Sequence, residues 1–169
     1  MSVSIRRATR DDLDFLVEVL NDDDVRPYLA GRRSFDHDEL GEQLGRQEED
    51  PQAHGTFVIE VDGERAGTMA FHRTNERSSI AHLGGLAIQP AFRGRRVADE
   101  AARQFQRHLV FDLGYHRLEM TVYGFNERSV AHAERAGWVK EGVKRKAYRH
   151  GDGWTDGVMY SVIREDLED

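Results

Sequence analysis

An arginine-rich loop stands between an apolar segment and an amphipathic one. The apolar segment Leu86–Ile88 leads through a proline into the loop Arg93–Ala98, which reads RGRRVA, and helical periodicity follows it. Backbone N–H groups at a helix start have no partner within the helix and carry partial positive charge, so this order suits an anion, above all a phosphate diester. Small residues at Gly94 and Ala98 admit a ligand close to the backbone. A basic loop that only caps the helix is the alternative.

Two polar residues, Asn126 and Ser129, stand three positions apart directly after the apolar segment Leu118–Tyr123. An asparagine at the start of a helix caps it, and this role explains Asn126 by itself. Ligands of open α/β sheets bind at the carboxyl ends of parallel strands, so the same two side chains are also candidates for ligand contacts.

Candidates for proton transfer lie on the neighbouring predicted strands. Glu119 shares one strand face with Thr121 and Tyr123, and a carboxylate beside a cleft can take a proton from an amine, although a solvated strand face is the alternative. His72 and His82 are predicted to face each other, as a packed or surface pair rather than a catalytic one. No histidine has the spacing of a metal site, so we expect no metal.

Hydrophobic periodicity divides the chain into the elements that position these residues. Strands are predicted at Ser4–Ala8, Thr56–Val61, Ala66–His72, Ser79–Ile88, Leu118–Tyr123, Trp138–Tyr148 and Gly157–Arg164. Helices are predicted after Thr9, Asp36, the arginine-rich loop and Asn126, with a short helix or turn within Asn21–Ala30. This order predicts an α/β fold with one mixed, mostly antiparallel sheet.

Local signals predict how the strands connect. Asp62-Gly63 indicates a tight hairpin, and polar Thr74–Ser78 indicates the next turn. Gly84-Gly85 within a strand suggests a bulge. The strand–helix–strand order around Arg93–Ala98 predicts a parallel pair with a right-handed crossover. The last two strands form a hairpin whose turn lies within His150–Asp156.

Apolar spacing predicts which helix faces are buried. The first helix is expected to bury Leu13, Leu16, Val17 and Leu20. The helix after Asp36 is expected to bury Leu40 and Leu44. The helix after the arginine-rich loop is expected to bury Ala98, Ala101, Ala102, Phe105, Leu109 and Leu113, with Gln106 on another face and Gly114 at its end.

Length and composition limit the class of protein. A chain of 169 residues is expected to form one domain, residues 1–169. It has no cysteine, which excludes disulfides and thiolate chemistry, and its net charge of −7 argues against general nucleic-acid binding. With no apolar run of membrane-spanning length and no signal-like start, we expect a cytoplasmic monomer or homodimer without membrane partners.

The order of elements and several motifs resemble the GNAT acetyltransferase superfamily, in particular its branch of ribosomal-protein N-terminal alanine acetyltransferases. One motif is the loop from Pro90 to Ala98, and another runs from Asn126-x-x-Ser129 to Gly137-Trp138. The segments Ile5–Leu13 and Asn21–Leu29 and the ending Tyr148–Asp156 are also similar to that branch.

The resemblance implies an acetyl-CoA-dependent N-acetyltransferase in which a primary amine attacks the thioester directly. The acceptor is a protein N-terminus, an amino acid, a polyamine or an antibiotic. Catalytic roles fall to Ser129 as the acid that protonates the thiolate, Asn126 as a positioning group and Glu119 as a base. The implied acetyl-CoA contacts are Leu86, Ala87, Ile88, Arg93, Gly94, Arg95, Arg96, Val97, Ala98, Asn126 and Ser129.

This chain departs from the family pattern at four positions. Arg96 stands where glycine is usual, and Ala133 stands where other branches place a tyrosine acid. Thr121 replaces the glutamate base of one branch, and His82 stands where the branch often has glutamate, which makes His82 a second candidate base. Two other functions remain open: a non-catalytic CoA-binding module and a nucleic-acid binder that uses Arg93–Arg96.

Overall fold

Seven strands and five α-helices are formed among residues 1–25 and 35–168, which are the residues that the computed structural model describes. The strands are β1 Val3–Arg7, β2 His54–Val61, β3 Glu64–Asn75, β4 Ile80–Ile88, β5 Arg117–Tyr123, β6 Val139–His150 and β7 Gly153–Ile163. The helices are α1 Leu13–Leu20, α2 His37–Glu49, α3 Val97–Arg107, α4 Glu127–Arg135 and α5 Arg164–Leu167. Of the short helix or turn predicted within Asn21–Ala30, residues 26–30 lie outside the described residues.

The strands form one sheet in the order β1-β2-β3-β4-β5-β7-β6, and the described pairs are antiparallel except β4 with β5. The parallel ladder has three residue pairs and ends where His82 stands beside Glu119. Both strands continue for several residues past this point, so they separate and leave a cleft. The predicted α/β class, the mixed sheet and the parallel pair are therefore confirmed.

The two predicted backbone irregularities are present. Asp62 and Gly63 have φ values of 51° and 83°, as a hairpin turn of the primed type requires. In β4, Gly85 has a φ of 65°, and the register with β3 shifts between Gly84 and Ala87. A Cβ at Gly67 in β3 would lie 2.4 Å from the Ala87 carbonyl oxygen, so the two backbones approach closely beside this bulge.

Helices cover both faces of the sheet. In β2, Phe57 and Ile59 belong to the apolar cluster that includes α3, whereas Val58 belongs to the cluster of α1 and α2. Alternate residues of a strand point to opposite faces, so a strand buried on both sides contributes to two cores.

The structure corrects two predicted helix faces. In α1, Phe15 and Val19 are buried with Leu16 and Leu20, whereas the predicted Leu13 and Val17 are only half-buried; α1 contacts α2 as well as the sheet, which moves its buried face. In α3, Gln106 was expected on another face but is buried, because α4 also packs against α3. Its side-chain N–H donates to the Ala136 carbonyl at 3.0 Å.

Strand ends extend beyond the prediction. β3 runs to Asn75 and so includes the start of the predicted turn Thr74–Ser78, and β6 and β7 continue to a turn at Gly151-Asp152. Polar residues at a solvated hairpin end do not prevent backbone pairing, so apolar alternation underestimates the length of such strands.

Candidate active site

The arginine-rich loop adopts left-handed backbone at two positions before α3 begins. Gly94 has a φ of 77°, and Arg96 has a φ of 58° and a ψ of 24°. Arg96 thus keeps the conformation for which glycine is preferred, at a cost of about 1 kcal/mol. The first α-helical hydrogen bond of α3 runs from the Glu100 N–H to the Arg96 carbonyl at 3.2 Å. The N–H groups of residues 97–99 therefore stand ahead of the helical ladder, as an anion site requires.

The side chain of Arg93 is used to hold this loop in place. Its Nε donates to the Ile88 carbonyl at 3.0 Å, and its other nitrogens lie 3.3 Å from carboxylate oxygens of Asp22 and Asp24. The guanidinium is therefore neutralised from the segment after α1, and we assign the predicted anion contact of Arg93 to its backbone. Among the predicted loop residues that the structure describes, Arg95 alone does not line the cavity beside the loop.

That cavity has a volume of about 430 Å³ and lies between the end of β4, the loop, α3 and α4. It contains ten of the eleven predicted acetyl-CoA contacts. They are Leu86, Ala87, Ile88, Arg93, Gly94, Arg96, Val97, Ala98, Asn126 and Ser129.

A second cavity, of about 770 Å³, lies on the other side of the cleft, among β4, β5, β6 and β7. It includes the candidate bases Glu119 and His82. The two cavities share four lining residues, Leu86, Asn126, Ser129 and His132. Two ligands that occupy the two cavities would therefore meet between β4 and α4.

The α4 side of this junction is fixed by local hydrogen bonds. The Asn126 side-chain oxygen accepts from the Ser129 N–H at 3.1 Å, which confirms Asn126 as the helix cap. Asn126 is buried and Ser129 is half-buried. Ala133, at the position of the family's tyrosine, is fully buried and carries no proton donor.

One buried carboxylate beside the junction was missed by the sequence analysis. Asp99, in the first turn of α3, accepts hydrogen bonds from His132 Nδ1 at 2.7 Å and from Arg135 Nε at 2.8 Å. Burial raises the pKa of Asp99, but the hydrogen bonds from Arg135 and His132 outweigh burial, so the net pKa lies below its ordinary value. The i,i+3 spacing of Ser129 and His132 places both on one helix face, but no local signal links that face to Asp99.

His82 and Glu119 stand side by side at the end of the parallel ladder but have different surroundings. The rings of His82 and His72 lie 5.3 Å apart, as predicted. Burial, then His72, lowers the pKa of His82, with a smaller lowering by Lys144 and an opposing effect of Glu119. Glu119 accepts from Arg117 Nε at 2.8 Å, and Arg117 also binds Glu141.

The late aromatic residues divide between core and cavity. Trp138 and Tyr160 are buried in the core. Tyr148 lines the second cavity with its ring 5.3 Å from that of Tyr123. Trp154 is 55% exposed and lies under the guanidinium of Arg149, at 4.7 Å.

The described residues contain neither a cluster of metal ligands nor a membrane-spanning helix. No group of three or more His, Asp or Glu residues suited to a metal ion occurs within residues 1–25 and 35–168. Within the same residues, every helix is too short or too polar to cross a membrane.

Comparison with known proteins places the chain in a family. A family model described as an acetyltransferase (GNAT) domain matches residues 2–139. The SPbeta prophage-derived uncharacterized N-acetyltransferase YokL of Bacillus subtilis (strain 168) is 32% identical over 83 residues, which cover 49% of this chain. The matched segment spans 47%, or about half, of that relative's own length.

Two solved structures share the whole fold. The spermidine N-acetyltransferase from Vibrio cholerae, in complex with CoA and spermine, has a TM-score of 0.87 at 20% identity and covers 98% of this chain and 97% of its own. The ribosomal-protein-S5-alanine acetyltransferase from Vibrio fischeri has a TM-score of 0.83 at 20% identity, and the match covers 100% of this chain and 97% of that protein. The family match confirms the resemblance and the predicted class of enzyme, an acetyltransferase, and the two structures confirm the fold. Because the family model spans most of its length, the chain belongs to the GNAT acetyltransferase family.

Proposed function

We propose that this protein transfers the acetyl group of acetyl-CoA to a primary amine by direct attack within a ternary complex. The observation that carries this proposal is the meeting of two cavities at Leu86, Asn126, Ser129 and His132. One cavity has the features of a phosphate site, and the other contains candidate bases. Direct transfer requires two substrates to be held with their reacting atoms together, and positioning of this kind lowers the barrier substantially.

The first cavity accounts for acetyl-CoA. Its pyrophosphate would lie on the N–H groups at the start of α3, where the helix dipole favours negative charge. The pantetheine arm would run along Leu86–Ile88, beyond the end of the parallel ladder with β5. An amide-bearing arm can add to a strand edge in this way, because it satisfies the backbone groups that the partner strand has left.

The transfer step forms one bond and breaks one bond. The amine nitrogen attacks the thioester carbonyl carbon, and the carbonyl electrons move onto oxygen. A backbone N–H near Leu86 or Ala87, at the β4 bulge, would stabilise this oxyanion. The C–S bond then breaks as the carbonyl re-forms. The sulfur leaves as a thiolate and takes a proton from Ser129, directly or through water, while the amine proton passes to a base. Exchange with solvent then returns a proton to Ser129 and removes one from the base.

We assign the base to His82 in preference to Glu119. The lowered pKa of His82 keeps its imidazole neutral near neutral pH, and a neutral imidazole can accept a proton. Oε1 of Glu119 is occupied by Arg117. Both side chains line the second cavity, which we assign to the amine and call the acceptor cavity. The choice between the two bases is therefore open to direct test.

We also propose that the reaction takes place in the cytoplasm. The proposed acetyl transfer is tested by incubating the protein with acetyl-CoA and a panel of primary amines. Release of the free CoA thiol reports turnover, and mass spectrometry reports the acetylated amine. We expect at least one class among amino acids, peptides, polyamines and aminoglycosides to be acetylated. CoA binding without turnover on any amine would instead support a CoA-binding module.

A further inference from the structure

The carboxylates of the acceptor cavity are ion-paired, whereas not all of its cations are. Its two carboxylates, Glu119 and Glu141, both bind the same guanidinium, that of Arg117. The two hydrogen bonds raise the pKa of Arg117, with Glu141 contributing more than Glu119, so this cation remains protonated. Within the described residues of the cavity, both carboxylates are therefore already bound to a cation, whose single charge offsets one of their two negative charges.

Two cations of the cavity, Lys144 and Arg149, lie outside this cluster, and the Arg149 guanidinium lies over the Trp154 ring. Within residues 1–25 and 35–168, Lys144 forms no ion pair. His82 lines the same cavity, and the charge of Lys144 contributes to the lowered pKa of His82. Lys144 pairs in register with Gly157, which in turn pairs with Tyr123 of β5.

Strand geometry accounts for this position of Lys144. Tyr123 and Glu119 are separated by an even number of residues, so both lie on one face of β5, and side chains on neighbouring strands at paired positions share that face. After Lys144, β6 bulges: Lys146 has a φ of 46°, and its N–H donates to Asp156 at 2.8 Å. This bond anchors the irregular segment to β7 beside Lys144.

We propose that the acceptor is an amine that carries a carboxylate in the same molecule, and that Lys144 receives this carboxylate while the amine faces His82. The inference rests on the proposed acetyl transfer. A polyamine would need free carboxylates for its ammonium groups, and both cavity carboxylates are held by Arg117. An acceptor carboxylate instead supplies the partner that Lys144 lacks.

The remaining wall of the cavity fits a compact organic acceptor. Apolar side chains of Leu83, Met120 and Met159 line it together with the ring of Tyr148. Such a wall suits an uncharged side chain on the same acceptor molecule. A free amino acid and the acidic N-terminal segment of a peptide both present this chemistry.

The test compares matched acceptors in matched variants. Initial rates of CoA thiol release give kcat/KM for leucine and leucinamide, for two short peptides with Glu or Gln at the second position, and for spermidine. Replacing the carboxylate of leucine with an amide also lowers the pKa of its amine. We therefore compare the ratio of kcat/KM for leucine to that for leucinamide between the wild type and each variant. Lys144→Gln removes the charge, and Lys140→Gln removes a charge from the same strand outside this cavity lining.

Lys144→Gln is expected to reduce the preference for the carboxylate by about fivefold, the upper range for a solvent-accessible ion pair, and Lys140→Gln is expected to leave it unchanged. Lys144→Glu should shift the preference toward spermidine.

Preference for the carboxylate in the leucine pair identifies the acceptor as a free amino acid, and preference only in the peptide pair identifies it as a peptide. Equal preference in wild type and Lys144→Gln, or spermidine as the best wild-type acceptor, would overturn the inference while leaving acetyl transfer intact. Absence of turnover on every amine would overturn the proposed function itself.

Discussion

The carboxylate of Asp99 in α3 accepts a hydrogen bond from Nδ1 of His132 in α4 at 2.7 Å. Asp99 stands in the helix turn that follows the arginine-rich loop, and His132 lies one turn after Ser129. This buried contact therefore joins the helix that follows the arginine-rich loop to the helix that carries Ser129. Arg135 donates to the same carboxylate and reinforces the connection.

Replacing Asp99 with Asn should destabilise the protein by about 2 kcal/mol, because hydrogen bonds to a charged group are weakened within a buried site. Chemical denaturation measures the difference. Asp112→Asn is the matched control, since Asp112 also pairs with a histidine but is largely exposed. We expect the control to change stability by less than about 0.5 kcal/mol. Equal effects of the two substitutions would contradict the role of Asp99.

The contribution of Asp99 should also depend on pH. The pKa of Asp99 is lower in the folded protein than its ordinary value of 3.8, so the unfolded chain binds the proton more readily. The stabilisation is complete above the ordinary value and is lost as pH falls through the lowered folded value. Denaturation curves of wild type and Asp99→Asn should therefore converge in acid, and a constant difference down to low pH would contradict this reasoning.

Arg96 offers a test of backbone strain at the phosphate loop. Its φ of 58° favours glycine, so Arg96→Gly should be more stable than Arg96→Ala by about 1 kcal/mol. Both variants lose the guanidinium, so calorimetric CoA affinities that fall equally would show that the side chain contacts phosphate. Unchanged affinity in both would leave the binding to backbone N–H groups alone. Greater stability of the alanine variant would contradict the left-handed conformation.

Ser129 should matter for turnover more than for binding. Ser129→Ala is expected to lower kcat by at least about tenfold, because the thiolate then leaves without its proton donor, while CoA affinity changes little. Steady-state kinetics and calorimetry measure the two quantities. Ser4→Ala, an exposed serine in β1 at the edge of the sheet, is the serine control away from both cavities. A Ser129→Ala enzyme with the wild-type kcat would exclude Ser129 as the acid.

The choice of base can be read from the pH dependence of kcat/KM. The pKa of His82 is lowered from 6.5, so wild-type activity should fall only below that pH, as the imidazole takes up a proton. His82→Gln should remove this acid limb and lower the rate by about 10²-fold. Glu119→Gln should keep the limb. The reverse pattern would return the role of base to Glu119.

Elements with local signals were predictable from the sequence. The Gly84-Gly85 bulge, the Asn126 cap and the parallel neighbour of β4 each depend on a short motif or on the order of adjacent elements. Contacts set by packing between distant segments were not predictable. The pairing of Asp99 with His132, and of Arg93 with Asp22, joins residues 33 and 71 positions apart. Helical spacing alone does not say which helix faces which.

Ion pairs between charged side chains were also not predictable from local sequence patterns. Glu119 was predicted as a base because it follows the strand alternation toward a cleft. The neighbouring Arg117 lies two positions away on the same face and binds it, and Glu141 from β6 completes the cluster. The alternation of the strand predicts the face on which Glu119 lies. Its hydrogen-bond partners depend on the neighbouring side chains at that face, which the alternation does not give.

Calorimetric titration with CoA and with pantetheine tests the central claim most directly, because pantetheine lacks the pyrophosphate assigned to the loop Arg93–Ala98. The account predicts one CoA bound per chain and binding of pantetheine that is weaker by at least about tenfold, the equivalent of one charge-assisted hydrogen bond. Absence of CoA binding, or equal affinity for the two compounds, would contradict it.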